Sequence, residues 1–206
     1  MSDALPFIHR FEKGADAQAR PVLLLHGTGG DENDLVPLGR IIAPDAPLLS
    51  PRGKVLENGM PRFFRRVAGG MFDEDDVRRR AVELADFISV ARGHYDLSAP
   101  IALGYSNGAN TAAAVLLLRP EALAGAILLR VTLPLKETAP IDLTSKPVLI
   151  LTGGNDPMMP AEGAAKLAQR LQQYGAAVER RTLPVGHELS QADISLAKQW
   201  LRTNGS

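Results

Sequence analysis

Residues 101–109, IALGYSNGA, join a short apolar run to the pattern G-x-S-x-G between Gly104 and Gly108. The run Ile101–Leu103 predicts a strand, and the apolar residues that follow the pattern predict a helix. A sharp strand-to-helix turn holds a serine clear of the sheet, and only small residues fit two positions before and after it. The pattern therefore predicts a nucleophile elbow at Ser106. A glycine-rich turn with a surface serine stays open as the alternative, because a five-residue pattern often arises by chance.

Short apolar runs alternate with helical segments on both sides of this elbow. Most of the runs are continuous rather than alternating, which is typical of strands covered on both faces. The alternation indicates an α/β fold with a mostly parallel central sheet and helices on both faces. The predicted strands are Val22–Leu25, Pro47–Ser50, Ile101–Leu103, Ala126–Leu129, Val148–Leu151 and Ala177–Leu183.

Helix signals fill most of the intervals. The first long helix has an apolar stripe and an acidic first turn, which complements the positive end of the helix dipole. The segment Val131–Lys146 contains two prolines and no helical pattern, so it predicts a mostly irregular crossover. The predicted helices are Asp73–Arg92, Asn107–Leu118 (apolar nearly all round and therefore buried), Pro160 to about Tyr174, and a last helix opened by Ser190 and Asp193 and running towards Trp200.

The composition is that of a globular protein and excludes several classes of function. A chain of 206 residues predicts a single domain over residues 1–206. The 23 basic and 23 acidic residues balance, so no net field attracts nucleic acid or an anionic membrane. Cysteine is absent, which excludes disulfides, a thiol nucleophile and cysteine-ligated metals. The longest apolar run, Ala112–Leu118, is too short to cross a bilayer, which takes about 20 residues.

The sequence gives no sign of a cofactor or of a targeting segment. The N-terminus has neither a basic region nor an apolar region of the kind found in secretory signals, so we expect a cytoplasmic protein. His9 and His94 have no partners at metal-ligand spacing, and we predict neither a metal nor another cofactor. The expected partner is a small-molecule substrate, with a homodimer left open.

Two further polar clusters follow predicted strands in a meaningful order. Asp156 comes after the strand Val148–Leu151, and His187 comes after the strand Ala177–Leu183. Open parallel sheets build their sites at the carboxyl ends of strands. The order serine, aspartate, histidine is the one expected of α/β hydrolases. Each residue alone could belong to an ordinary loop, but the three together predict a triad in which His187 is the base and Asp156 orients it.

A glycine-rich turn after the strand Val22–Leu25 predicts an oxyanion hole. Acyl transfer creates an oxyanion, which needs backbone N–H donors free of side-chain bulk. Thr28 within His26–Gly30 is expected to supply one donor, and Asn107 after the nucleophile the other. A phosphate-binding loop is the competing interpretation, and its spacing fails because G-x-G-x-x-G is broken at Glu32. His26 is expected to hold the turn by hydrogen bonds.

The stretches LLLHGTGGDENDL, GYSNGANTA, LTGGNDPMMP and GHELS together resemble the phospholipase/carboxylesterase family of small bacterial α/β hydrolases. The block from Ser50 to Arg66 resembles the carboxylesterase-like hydrolase branch of that family. The resemblance runs from about Val22 to Trp200. It implies an α/β-hydrolase fold without a large cap domain, and therefore a shallow, open site.

The resemblance also assigns roles. It implies Ser106 as nucleophile, Asp156 as acid and His187 as base, with Thr28 and Asn107 at the oxyanion hole. Relatives that act as acyl-protein thioesterases usually have leucine at the position of Thr28 and glutamine at the position of Asn107. The threonine and asparagine of this sequence therefore disfavour a protein-thioester substrate. Dienelactone hydrolases of similar size use a cysteine nucleophile, which this chain lacks.

The resulting hypothesis is a serine carboxylesterase for small, short-acyl esters. A lysophospholipase or acyl thioesterase with the same triad is one alternative, and a non-catalytic binding protein on the same fold is another. The segment Met60–Met71 predicts part of the substrate pocket, with Arg62, Arg65 and Arg66 either solvated or facing an anionic substrate group. The alternative is that its phenylalanines belong to the core. The predicted substrate-binding residues are Phe63, Phe64, Met159 and Leu189, together with Met60, Met71 and Met158.

Overall fold

The protein is described by a computed structural model that covers residues 5–16, 18–67 and 71–205. Seven strands form one sheet in the spatial order β1-β3-β2-β6-β7-β8-β9. Only β1 runs antiparallel to its neighbour, so the sheet is mostly parallel as predicted. The seven strands are β1 (His9–Glu12), β2 (Val22–Leu25), β3 (Leu48–Pro51), β6 (Ile101–Tyr105), β7 (Gly125–Leu129), β8 (Pro147–Gly153) and β9 (Ala177–Leu183).

Helices cover both faces of this sheet. The larger apolar cluster unites one face of the sheet with α2, α3 and α4, and the smaller cluster unites the other face with α1 and α5. Because both faces are covered, the central strands are apolar throughout rather than alternating. Among the residues described, none of the helices has the length and apolarity needed to cross a membrane. The helices are α1 (Val36–Ile42), α2 (Glu74–Tyr95), α3 (Asn107–Leu118), α4 (Ala161–Gln173) and α5 (Gln191–Asn204).

The predicted capping signals are present. Asp73 caps α2 by accepting a hydrogen bond from the N–H of Asp76, and Ser190 and Asp193 form a capping box at the start of α5. The segment 131–146 joins β7 to β8 without a helix or strand, as the prolines predict.

Among the described residues, three strands and one α-helix were missing from the prediction, as was the short 3₁₀ helix Pro120–Ala122. Strand β1 is a short, partly exposed edge strand of sequence HRFE, and α1 has only seven residues, so neither shows a clear apolar pattern. The other two are β4 (Val55–Glu57) and β5 (Met60–Arg62), which pair as a hairpin. Their connection, Asn58 and Gly59, has φ of 52° and 79°. Asn-Gly is the characteristic sequence of such a turn, so this hairpin was available to sequence reasoning.

Helix α3 lies unusually close to the sheet. A Cβ atom at Gly108 would come within 2.0 Å of the carbonyl oxygen of Leu25 in β2, and one at Gly104 within 2.7 Å of the Ala109 backbone. The first eleven residues of α3 are buried. Gly104 and Gly108 therefore permit a close approach of α3 to the sheet, which a side chain at either position would prevent.

We expect Gly108→Ala to destabilise the protein by about 1–3 kcal/mol or more, because the added methyl overpacks against backbone atoms. Gly93→Ala is the matched control, since a Cβ atom at this position of α2 meets nothing within 4 Å. The control should stabilise the protein by about 0.5–1 kcal/mol through helix propensity. Urea unfolding of both variants measures the difference, and equal effects would contradict the close approach of α3.

Candidate active site

Ser106 occupies the turn between β6 and α3. Its backbone is in the left-handed region, with φ of 53° and ψ of −111°. Its N–H donates to the carbonyl of Leu129 at the end of β7, over 2.9 Å. The residue is 7% exposed. A non-glycine residue in this conformation is strained and persists only where its surroundings enforce it, here a strand on one side and a buried helix on the other.

Asp156 and His187 lie beyond the ends of β8 and β9 and meet Ser106 at the same edge of the sheet. The Nδ1 atom of His187 is 2.7 Å from Asp156 Oδ2, and its Nε2 atom is 3.0 Å from Ser106 Oγ. The three side chains come from positions 106, 156 and 187, yet form one continuous hydrogen-bonded chain. With Nδ1 protonated towards the carboxylate, Nε2 is left to accept the hydroxyl proton of the serine.

The Asp156 carboxylate is fixed by backbone donors as well as by His187. Its Oδ1 atom accepts hydrogen bonds from the N–H groups of Met158 at 2.8 Å and Met159 at 3.0 Å. Burial alone would raise the pKa of Asp156, but the hydrogen bonds from His187, Met159 and Met158 lower that pKa by more, and it lies below the ordinary aspartate value. The carboxylate beside His187 is therefore ionised at neutral pH.

The two residues predicted for the oxyanion hole lie in the same cleft as the serine. Thr28 and Asn107 both line the cleft that contains Ser106. Among the turn, loop and cap hydrogen bonds of the described residues, neither backbone N–H is a donor. Unpaired N–H groups at such a place can stabilise negative charge on an oxygen atom of a bound ligand.

His26 holds the neighbouring turn. Its Nε2 atom accepts a hydrogen bond from the N–H of Gly53 at 3.0 Å, so Nδ1 carries the proton and donates to the carbonyl of Gly27 at 2.6 Å. Burial lowers the pKa of His26 and favours this neutral form. Both ring nitrogens are occupied by backbone groups, in agreement with the structural role predicted for this residue.

The side chain of Asn107 ties the elbow to the β5 region. Its Oδ1 atom accepts a hydrogen bond from the N–H of Phe63 at 2.7 Å. Asn110, one turn further along α3, donates to the Ser106 carbonyl and accepts from the N–H of Thr132, at 3.0 and 2.9 Å. The start of α3 thus anchors the two irregular segments that flank the serine.

The serine opens into a cleft of about 760 Å³. Its wall combines apolar side chains with a few polar groups, as is usual for small-molecule sites. Much of the wall comes from the segment that follows β7, which sequence reasoning left as an irregular crossover. Besides Thr28, Ser106 and Asn107, the lining residues are Arg62, Arg66, Val67, Met71, Phe72, Glu74, Asn110, Thr132, Leu133, Pro134, Lys136, Met158, Met159 and Pro160.

The predicted substrate-binding residues divide into two groups. Met159 lines the cleft, as do Met71 and Met158. Phe63 and Phe64 are 2% and 0% exposed and belong to the larger core cluster, and Leu189 packs against the smaller one. Phe63 and Phe64 therefore lie in the core, which is the alternative that the sequence left open, whereas Leu189 is only partly buried and lies outside the cleft lining.

Met60, also predicted, lies on the hairpin outside the cleft lining. Positions 68–70 of the predicted segment Met60–Met71 fall outside the described residues.

The arginines predicted as solvated or substrate-facing differ from one another. Arg62 is 2% exposed and donates to Glu57 at 2.9 Å and to the Phe64 carbonyl at 3.0 Å, so it is not a surface residue. Arg66 also pairs with Glu57 and lies at the cleft. Arg65 is mostly exposed and pairs with Asp73 at 3.1 Å. One glutamate therefore already neutralises part of the positive charge at the cleft.

Sequence reasoning missed one buried cation next to the site. Arg130, directly after β7, is fully buried and touches the loop that carries His187. A charged residue ending an apolar strand at the carboxyl edge was the available signal. Among the described residues, the structure brings together no group of three histidine, aspartate or glutamate side chains able to hold a metal ion.

Comparisons with known proteins agree with this geometry. A protein-family model described as Phospholipase/Carboxylesterase matches residues 8–205. The MhqD protein of Bacillus subtilis (strain 168), named provisionally as a hydrolase, is 44% identical over 196 residues, covering 94% of this chain and 97% of that protein.

Solved structures of carboxylesterases are similar over nearly the whole chain. The Bacillus cereus carboxylesterase superimposes with a TM-score of 0.94 at 41% identity, covering 97% of this chain and 95% of that one. The Mesorhizobium loti carboxylesterase has a TM-score of 0.91 at 32% identity, covering 98% and 97%. The predicted α/β-hydrolase fold and ester-hydrolase class are confirmed, and the chain belongs to the phospholipase/carboxylesterase family.

Proposed function

We propose that this protein is a serine carboxylesterase that hydrolyses small, short-acyl esters through an acyl-enzyme. The observation that carries the proposal is the hydrogen-bonded chain from Asp156 Oδ2 through His187 to Ser106 Oγ, at 2.7 and 3.0 Å, which ends inside the cleft. A serine hydroxyl is a weak nucleophile until a base removes its proton.

The acylation step follows from this geometry. Ser106 Oγ attacks the ester carbonyl carbon while His187 Nε2 takes the hydroxyl proton, and Asp156 stabilises the imidazolium that forms. The N–H groups of Thr28 and Asn107 donate to the oxyanion of the tetrahedral intermediate. The intermediate collapses, the bond to the alcohol oxygen breaks, and His187 returns its proton to the leaving alcohol.

Deacylation repeats the same chemistry with water. His187 removes a proton from a water molecule, whose oxygen attacks the acyl carbon of the Ser106 ester. Collapse of the second tetrahedral intermediate releases the carboxylic acid and returns the proton to Ser106 Oγ. Both steps balance with the ester, one water molecule and these side chains.

The cleft supports a small substrate. A volume of about 760 Å³ is in the range of sites for small molecules. Its apolar members Val67, Met71 and Met158 are largely exposed at the surface, so they form a rim rather than a long enclosed channel. Within residues 5–16, 18–67 and 71–205, an extended acyl chain would find little surface to cover it beyond this rim, whereas a short chain is accommodated at the wall near Met159.

Ser106→Ala should lower turnover of p-nitrophenyl acetate and butyrate by about 10³-fold or more, because the nucleophile is removed. Steady-state assays of wild type and variant should be run with acetate, butyrate and palmitate esters. Faster turnover of palmitate than of acetate by the wild type would contradict the short-acyl proposal. A folded wild type that neither hydrolyses these esters nor is labelled at Ser106 by a fluorophosphonate would favour a binding protein.

Asp156→Asn should lower kcat about 10³- to 10⁴-fold with little change in the fold, because an amide favours the wrong tautomer of His187. The assay belongs between pH 6 and 8, where the lowered pKa of Asp156 keeps the wild-type carboxylate ionised. A loss of less than about tenfold would show that the carboxylate does not orient the base.

Met159→Ala should lower kcat/KM for p-nitrophenyl butyrate by about 3- to 10-fold, since it removes apolar surface that the substrate covers, at about 0.8 kcal/mol per buried methylene. Phe64→Ala is the contrasting variant, because Phe64 is in the core. It should reduce the free energy of unfolding by about 3–5 kcal/mol and leave kcat/KM of the folded protein unchanged. If Phe64 lined the cleft, the ratio of kcat/KM for the butyrate ester to kcat/KM for the acetate ester would differ between Phe64→Ala and the wild type.

A further inference from the structure

Arg130 is a fully buried cation that the proposed chemistry does not use. It directly follows β7, with a φ of 57°, and its backbone N–H donates to the carbonyl of Leu151 at 2.9 Å. Its side chain is 0% exposed. Burying a charge is costly unless each of its polar groups is satisfied, so the placement of this guanidinium needs an account.

Every N–H of the Arg130 guanidinium has an acceptor. The group carries five N–H donors in a rigid planar fork, which lysine cannot reproduce. The five contacts are Nε to the Gly186 carbonyl at 3.0 Å, Nη1 to the Leu151 carbonyl at 3.4 Å and to Asp193 Oδ1 at 2.8 Å, and Nη2 to the Glu188 carbonyl at 2.8 Å and to Asp193 Oδ2 at 2.9 Å.

Two of these acceptors flank His187. Gly186 and Glu188 are the residues immediately before and after the histidine. The backbone carbonyls of both accept hydrogen bonds from the Arg130 guanidinium. The His187 carbonyl between them accepts from the Tyr105 hydroxyl at a longer 3.2 Å. The backbone on both sides of the imidazole is therefore attached to one planar group.

The same cation is tied to the nucleophile and to α5. The residue before it, Leu129, accepts the Ser106 N–H at 2.9 Å. Its partner Asp193 also accepts from the N–H and Oγ of Ser190, both at 2.8 Å, at the start of α5. The end of β7 thus carries one contact that holds the serine turn and another that holds the histidine loop.

We propose that Arg130 is a positioning residue that sets the place of His187 relative to Ser106, an inference that rests on the proposed function of these two residues. The acceptors that satisfy this buried cation include the carbonyls on both sides of His187, so the same contacts that stabilise the cation also hold the backbone of the base in place. Displacing a catalytic base by about 1 Å can lower the reaction rate by about 10²-fold. The contacts of the Arg130 guanidinium that hold the His187 backbone therefore affect turnover.

Arg130→Lys tests the proposal, because lysine keeps the charge but cannot bind both carbonyls and both carboxylate oxygens. We expect kcat for p-nitrophenyl acetate to fall about 10- to 100-fold with KM within about threefold, measured well below the melting temperature of the variant. Arg40→Lys is the matched control. Arg40 likewise pairs with a carboxylate, Glu12, and donates to two carbonyls, those of Pro44 and Ala46, without contact to the triad. Its kcat should equal that of the wild type.

Hydrogen exchange gives a readout that does not depend on activity. Amide exchange over residues 184–190 should accelerate in Arg130→Lys relative to the wild type and to Arg40→Lys. Unchanged exchange in this loop, or accelerated exchange with wild-type kcat, overturns the inference. If the wild type itself hydrolyses no ester, the proposed function fails, while the exchange result still reports whether Arg130 fixes the loop.

Tyr105→Phe is the second variant, and it tests the competing assignment even if Arg130→Lys fails to fold. It removes the hydroxyl that donates to the His187 carbonyl and leaves both Arg130 contacts in place. We expect kcat to fall by less than about threefold, with loop exchange unchanged. A tenfold or larger loss with accelerated exchange would show that the tyrosine, and not Arg130, positions the loop.

Discussion

The close packing of α3 against the end of β2 is the contact on which the rest of this structure depends. Gly108 brings the helix so near that a Cβ atom would lie 2.0 Å from the Leu25 carbonyl oxygen. The strand continues directly into the turn that contains Thr28, while the helix begins directly after Ser106. The distance between the two proposed oxyanion donors is therefore set by a backbone contact in the core rather than by flexible side chains.

Charge at the carboxyl edge of the sheet is buried and fully partnered. Asp156 accepts from two backbone N–H groups and from His187, and Arg130 uses all five of its donors. Buried ion pairs contribute little net stability against apolar replacements, because desolvation offsets their attraction. Their specific geometry is what an apolar core would lack. The same low-polarity surroundings that make these groups costly also make each hydrogen bond stronger and more directional.

The sheet positions the candidate triad, and the irregular segments form most of the cleft wall. The candidate triad lies within four residues of the ends of β6, β8 and β9, where parallel strands fix the spacing. The cleft wall comes mainly from segments without regular structure, such as residues 132–134 and Lys136 after β7 and residues 158–160 after β8. The side chains of these segments that face the cleft can change without disturbing the core, so substrate range is free to vary while the proposed triad is retained.

The sequence by itself determined the fold class, the positions of six strands along the chain and the identity of the candidate triad. These follow from local signals: continuous apolar runs, the glycines at positions 104 and 108, and polar residues just after strands. Only the tertiary structure decided that Phe63 and Phe64 belong to the core, that residues 132–134 line the cleft, and that Arg130 reaches both sides of His187. Periodicity reports which residues avoid water, but an apolar side chain satisfies that pattern equally well inside the core or against a substrate. Which of the two applies depends on contacts between segments far apart in the chain, and spacing along the sequence does not encode them.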